Sequence, residues 1–294
     1  MYTLSGFSGS SDLGEMRALI AALGSRSGAV DFEEKIQMAE VRPTVGLWRK
    51  DSVLQAFALV DPFNNLWFDC ATDEVLNELG GELAAWGAAV IRKRNAESGS
   101  QDPLDFTCSA GDGARMRFAS QNGFEPLEIR SLNYTRSSER PLEHHPFPAG
   151  YTWRAVRGEE EVEALVALHR AAFGTDNMTV EERLAIMHAP DYQMEMDLVA
   201  VAPDGSLAAF CICGLEGTGE RVGATDPIGV HPDHQGIGLA AALVTAGMEM
   251  LIRAGAARIE LGTSSENTAM QRLAQRLGFE LVSEKVWFSK EVGN

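Results

Sequence analysis

The sequence predicts an α/β protein of 294 residues made of two tandem domains, each a mixed, mostly antiparallel sheet flanked by helices. Three observations point there. Apolar runs of strand length alternate with helical periodicity along the whole chain, the pattern of a sheet with helices on its faces. Residues 258–280 align without gaps on residues 103–125, with identities at Ala269 and Ala114, Arg272 and Arg117, and Gly278-Phe279 and Gly123-Phe124. A repeated supersecondary unit explains this offset of 155 (258 less 103) more simply than chance does. Between the copies, residues 140–150 carry three prolines and a glycine, which suits neither a helix nor a central strand. The domains therefore read as 1–139 and 151–294, with 140–150 as linker.

Each half reads as strand, helices, antiparallel strands, helix, strand, helix, strands. In the second half Tyr151–Ala155 is the first strand and Glu159–Phe173 a helix. Thr179–His188 is a second helix, with Thr179 as N-cap and Glu182 as its capping-box partner. Leu198–Ala202 and Leu207–Gly214 form a hairpin across Pro203-Asp204-Gly205, and their nearly continuous apolar character implies burial on both faces. The same offset places a hairpin of the first half around Trp48-Arg49-Lys50. Arg221–Val230 reads as a strand, Arg258–Thr263 as another, and Asn267–Leu277 as a helix.

Between the strand at 221–230 and the next helix lies the segment Ile228–Ala240, IGVHPDHQGIGLA. An apolar strand end runs into a proline turn, a glycine-spaced loop and a helix carrying Leu239, Leu243, Ala246 and Met250 at helical spacing. Such a loop turns successive backbone N–H groups into one concavity at a helix N-terminus, which suits a pyrophosphate. Gly236 and Gly238 let an anion approach closely and permit positive φ. No Lys-Ser/Thr pair follows the glycines, so this is not a P-loop, and the spacing is not that of a dinucleotide fingerprint. At the same offset the loop faces Gly80-Gly81-Glu82-Leu83. That copy loses the second glycine and puts Glu82 at the expected helix N-terminus, where a carboxylate repels a pyrophosphate. The first half is thus expected to lack a pyrophosphate site.

The V-x-P-x-x-Q-G-x-G-x-A loop and the later N-x-x-x-x-x-L-x-x-x-x-G-F segment resemble the GNAT superfamily of acyl-CoA-dependent N-acyltransferases, over roughly residues 150 to 290. The resemblance implies a tandem GNAT-like protein with a degenerate first half. It implies acetyl-CoA as cosubstrate without a metal, and transfer of the acetyl group to a primary amine of a small, cationic substrate by direct attack. In the family the acyl-CoA lies along the strand ending Ile228-Gly229-Val230. Gln235, Gly236, Ile237, Gly238, Leu239 and Ala240 would hold the pyrophosphate, and Asn267 matches the asparagine near the pantetheine arm, although Asn is equally suited to N-capping the next helix. Asp226 and His231 are the candidates for the base that takes the ammonium proton; Asp226 reads alternatively as a turn aspartate and His231 as an exposed loop histidine. Glu260 and Glu266 are weaker candidates. The family tyrosine that protonates the leaving thiolate is replaced by Ala274, which leaves water, Ser264 or Ser265 for that role. The acceptor region would be bounded by the first two helices of this half, with Asp176, Glu181 and Glu182 beside Phe173 and Met178. A non-catalytic acyl-CoA-binding module and a protein N-acetyltransferase are the alternatives.

Composition limits the field further. The net charge is −17, which disfavours nucleic acid and anionic membranes as partners and reads either as attraction for a cationic small molecule or as solubility alone; a homodimer is a separate expectation. No apolar run is long enough for a membrane span, and the N-terminus lacks the pattern of a secretory signal. Cys70, Cys108, Cys211 and Cys213 read as reduced core residues of a cytoplasmic protein. The pair His144-His145 has no metal-ligand spacing.

Overall fold

The computed structural model describes residues 1–24, 29–190, 192–217 and 219–293. They form two compact units, Met1–Arg130 with Glu284–Asn294, and Ser131–Ser283. In chain order the elements of the first are β1 (Thr3–Gly6), α1 (Ser10–Leu23), α2 (Ala29–Gln37), β2 (Gly46–Lys50), β3 (Val53–Val60), β4 (Leu66–Cys70), α3 (Asp73–Ser98), β5 (Leu104–Ser109) and α4 (Gly113–Gln121). Strand β6 (Glu125–Ser137) carries the chain into the second unit. There follow β7 (Thr152–Ala155), α5 (Val162–Phe173), α6 (Val180–Met187), β8 (Asp197–Val201), β9 (Leu207–Glu216), β10 (Val222–Val230), α7 (Leu239–Arg253), β11 (Arg258–Ser264) and α8 (Thr268–Arg276). Strand β12 (Glu280–Lys290) returns the chain to the first unit.

The duplication is visible in the element order: each half is a strand, two helices, three antiparallel strands, a helix, a strand, a helix and a long last strand. The last strands are exchanged. In unit 1, β1 to β4 form an antiparallel sheet, and β5 pairs with the returning β12, Leu104 opposite Lys290 through Ser109 opposite Lys285. In unit 2 the order is β7-β8-β9-β10-β11-β6, all antiparallel except β10 with β11. The unit boundaries consequently differ from the 139/151 division read from the sequence. The proline segment after Ser137 lies wholly in unit 2, where Arg136 donates from Nη2 to the carbonyls of Arg140 and Pro141, 2.8 Å each, and Leu142 and Phe147 pack on the core.

Burial follows the strand period. On one face of the unit 2 sheet Leu198, Cys211, Cys213, Ile228, Ile259 and Leu261 meet α7 and α8. On the other, Val199 and Phe210 meet Leu165 and Leu168 of α5. Close approach of α7 depends on Gly247: a Cβ there would lie 2.6 Å from Cys213 Sγ. All four cysteines are free and buried, as composition led one to expect. The capping box of α6 forms as expected, Glu182 N donating to Thr179 Oγ1 at 3.1 Å and Thr179 N to Glu182 Oε2 at 2.6 Å.

Two expectations for the first half are corrected. Its hairpin turns at Asp51-Ser52, both at positive φ, while Trp48–Lys50 belong to β2. Glu82 is not at a helix N-terminus: α3 begins at Asp73, so Gly80–Leu83 lie in the helix interior, and Glu82 Oε2 accepts from Trp48 Nε1 at 3.0 Å. The cause is a deletion that a gapless alignment cannot register. Helices α3 and α7 end in register with the offset, Arg253 less Ser98 being 155, but two residues separate β4 from α3 whereas eight separate β10 from α7.

Candidate active site

The loop after β10 has the properties of an anion cradle. Gly236 and Gly238 sit at φ 76° and 88°, and an added Cβ at either would meet nothing within 4 Å, so both face open space. Gly238 is the N-cap of α7, and no side chain caps it. The first intrahelical bond is Ala242 N to Gly238 O at 3.1 Å. Among the described residues, the backbone N–H groups of Gly236 through Ala241 therefore find no acceptor. A run of unsatisfied donors at the positive end of a 15-residue helix suits a bound anion. Gln235 clamps the loop to the strand end, Nε2 donating to Val230 O at 3.1 Å. The residues present thus fit a pyrophosphate.

Unit 1 offers the contrast. Where β4 and β5 part, beyond a single parallel bridge at Asn65 and Asp105, a cavity of about 750 Å³ opens beside Trp67, Phe68 and Phe106. The helix that follows β4 is closed to anions. Thr72 caps it, accepting from Val75 N at 3.3 Å, and Asp73 and Glu74 occupy its first turn. Arg115, which lines the cavity, is neutralised inside the fold, pairing with Asp69 at 2.6 Å and Asp112 at 3.2 Å.

In unit 2 the parallel pairing of β10 with β11 covers only Val222–Ala224 against Arg258–Glu260. Beyond it, β10 bulges between Thr225 and Ile228, a device that re-aims side chains. Thr225 and Ile228 are buried toward α7, and the bulge turns Asp226 to the opposite face, where it is exposed. A Cβ on Gly262 of β11 would lie 2.7 Å from Asp226 Oδ2, so this glycine makes room for the carboxylate. Gly229 is equally constrained: a Cβ there would lie 2.3 Å from Phe210 Cε1 and 2.9 Å from Ala172 Cβ. Glycines inside strands mark such close approaches, and for Gly262 that signal went unused in reading the sequence.

The other expected residues fall as follows. His231 starts the short turn Pro232–His234, its Nδ1 accepting from Asp233 N at 3.3 Å, with His234 in turn bonded to Tyr151 Oη at 2.8 Å. Asn267 caps α8, Oδ1 accepting from Met270 N at 3.0 Å. Ala274 is fully buried. Glu260 lies 3.3 Å from Arg258, and Glu182 is used by the capping box. Met178 O accepts from Arg170 Nε at 2.7 Å, which closes the chain segment between α5 and α6.

On the Asp226 face, α5 presents His169, its ring against Phe173 (centroids 4.6 Å apart) and Phe210 (5.4 Å), with Nδ1 buried and unpartnered. Burial, aided by nearby Arg183, pushes its pKa down from 6.5 to about 4. A depressed imidazole binds its proton less readily folded than unfolded, so its contribution is complete above pH 6.5 and is lost as pH falls toward 4. Allowing for residual solvent access, about 2 kcal/mol is at stake. In urea unfolding at pH 7 and pH 4.5, His169→Leu should lose less stability on acidification than wild type; equal losses would refute this.

Comparison with known proteins bears on the same unit. Residues 162–279 match the family model described as Acetyltransferase (GNAT) family. Over 283 residues the chain is 26% identical to a mycothiol acetyltransferase of Kineococcus radiotolerans, covering 92% of this chain and 91% of that one. It is 33% identical to a mycothiol acetyltransferase of Salinispora arenicola over 53% of each chain, so that it spans about half of that relative. A solved structure of a tandem GNAT protein from the clavulanic acid biosynthesis pathway superposes with a TM-score of 0.72 at 16% identity, covering 100% of this chain and 99% of that one; that likeness is one of fold. Among the described residues no helix is long and apolar enough to cross a membrane.

Proposed function

We propose, from the premise that this chain is a tandem member of the GNAT acetyltransferase family, that its second half transfers the acetyl group of acetyl-CoA to a primary amine of a small, cationic molecule. The observation that carries this reading is the run of unsatisfied N–H groups from Gly236 to Ala241 beside a bulged strand that bears a carboxylate. Gly236 to Ala240 would hold the pyrophosphate, the strand end Ile228-Gly229-Val230 would flank the pantetheine arm, and Asn267 would stay at the mouth as helix cap. Acetyl-CoA, when bound, supplies the activated acyl group.

Asp226 is the better placed of the two candidate bases. Its carboxylate is exposed on the face opposite α7, over Gly262 of the neighbouring strand, whereas His231 lies in the turn beyond the strand end. An acceptor arrives as ammonium and must give up a proton before attack. The net charge of −17 raises the local concentration of such a cation. With Ala274 in the core, no phenol from α8 meets the leaving thiolate, and water is the proposed proton source. A thiol with a pKa of about 8.5 tolerates that. Amines related to mycothiol belong in the first substrate screen because the relatives bear that name. The first half, with its cavity but no cradle, is proposed to bind no acyl-CoA.

Calorimetric titration of acetyl-CoA into the whole protein should give one site per chain; two sites would refute the proposed division of labour, and none would remove the transfer reading. Gly262→Ala should displace the Asp226 carboxylate, lowering kcat about 10- to 1,000-fold with acetyl-CoA affinity retained. An unaltered kcat would take the base role from Asp226.

A further inference from the structure

Strand β6 leaves the first half of the sequence and supplies residues 131–137 to the unit 2 sheet, antiparallel to β11. Its alternation sets two faces. Leu132 and Tyr134 join Ile259 and Leu261 in the core under α7 and α8. Asn133 therefore projects to the other face, and its register partner is Gly262, the glycine over which the Asp226 carboxylate sits. Directly opposed residues hold their Cβ positions about 5 Å apart, so Asn133 and Asp226 flank one gap from opposite sides. Asn133 is half-buried, and its side-chain amide has no hydrogen-bond partner among the described residues. Its neighbours on this face are spoken for: Glu260 meets Arg258 at 3.3 Å, Thr135 Oγ1 reaches Ile259 O at 3.4 Å, and Ser264 Oγ accepts from Glu266 N at 3.1 Å.

Resting on the acetyl-transfer reading above, we infer that Asn133 is an acceptor-binding residue that makes the site selective for primary over secondary amines. The chemistry supplies the reason. An alkylammonium first yields one proton to the Asp226 carboxylate. As the C–N bond forms and the C–S bond breaks, the nitrogen gives its second proton to water, and water returns one to the departing thiolate, so that the one net proton of the reaction is the one held by Asp226. A primary amine still carries one N–H, which the product amide retains. That N–H donates to Asn133 Oδ1 throughout and holds the nitrogen lone pair on the thioester. An N-methyl amine has no such hydrogen left, and its methyl group leaves the Asn133 oxygen without a donor, a penalty that sites built around hydrogen bonds impose on analogues lacking them.

The test uses the whole protein, benzylamine and N-methylbenzylamine as probes, release of the CoA thiol as the rate, and calorimetry of acetyl-CoA alongside. Wild type should favour benzylamine. Asn133→Ala should lower kcat/KM for benzylamine about 10- to 100-fold and change that for N-methylbenzylamine by less than about twofold, collapsing the preference. Asn133→Asp, which keeps an acceptor oxygen, should restore it, and acetyl-CoA should bind all three proteins equally. Equal losses on both amines, or no loss on either, overturn the role of Asn133 while leaving the transfer reading standing. Wild type that binds acetyl-CoA yet acetylates neither amine overturns the transfer reading, and this inference with it.

Discussion

Gly238→Glu should abolish acetyl-CoA binding, weakening it at least about 100-fold in calorimetry while the protein stays folded. Two effects add. Gly238 has φ 88°, a conformation that an L side chain adopts only with strain of order 1–3 kcal/mol. Relief of that strain rotates the very amides that are free to hold an anion. The new carboxylate also sits at the N-terminus of α7, where it satisfies the helix dipole and repels a pyrophosphate. Open space around the Gly238 Cα keeps the substitution from damaging the core, so circular dichroism and melting behaviour should stay close to wild type. Gly238→Ala separates the contributions, since it carries the strain without the charge and should weaken binding less. Undiminished affinity in Gly238→Glu would move the cofactor site elsewhere.

The largest loss of stability is expected from Arg183→Leu. Arg183 on α6 and Asp197 at the start of β8 form a buried ion pair, 4% and 0% exposed, with Tyr192 Oη donating to Asp197 at 2.7 Å. Burial holds the Asp197 carboxyl above its usual range even though Arg183 and Tyr192 both favour its charged form. Removing the guanidinium strands that charge, at a cost of about 3–5 kcal/mol, read as a lower urea midpoint with an unchanged slope. Raised further by the loss of Arg183, the carboxyl would take up a proton more readily folded than unfolded, so the deficit should shrink as pH falls through the raised value. Arg183→Leu with Asp197→Leu removes both charges and should recover most of the loss. Persistence of the full deficit in the double variant would show that packing, not charge, is at issue.

The parts of the fold governed by local chemistry were legible in the sequence. The capping box at Thr179 and Glu182, the cap at Asn267, the turn at Pro203–Gly205 and the glycine loop at 235–240 each depend on residues within a few positions of one another, and each stands where the pattern put it to within a residue or two. What depends on distant partners was not legible. Nothing near Asn133 announces that it will face Gly262, because that register is set by an exchange of last strands between halves 129 residues apart at that pair. The misplacement of Glu82 has a different cause. Its surroundings do repeat those of the second half, but α3 runs on through the missing loop, and a helix interior carries the same apolar spacing as a helix start. The open glycine loop was legible because glycine has few reasons to precede a buried helix twice in three residues; the space beside Asp226 was not, because one glycine in a strand has many.

The exchange of β6 and β12 also sets an order of events during synthesis. Unit 2 is complete once residue 283 has emerged, all of its strands being contiguous in the chain from Ser131. Unit 1, made first, has to wait. Its β5 pairs with residues 285–290, about 180 positions downstream, and at roughly 5–20 residues per second the ribosome needs about 10–40 s to deliver them. Through that interval β5, which carries Leu104, Phe106 and Cys108, has no ladder partner among the described residues beyond the single bridge at Asp105, and an unpaired strand is the kind of surface on which nascent chains mispair. The half translated first is therefore the half that finishes last, and its maturation is timed by the delivery of residues 285–290.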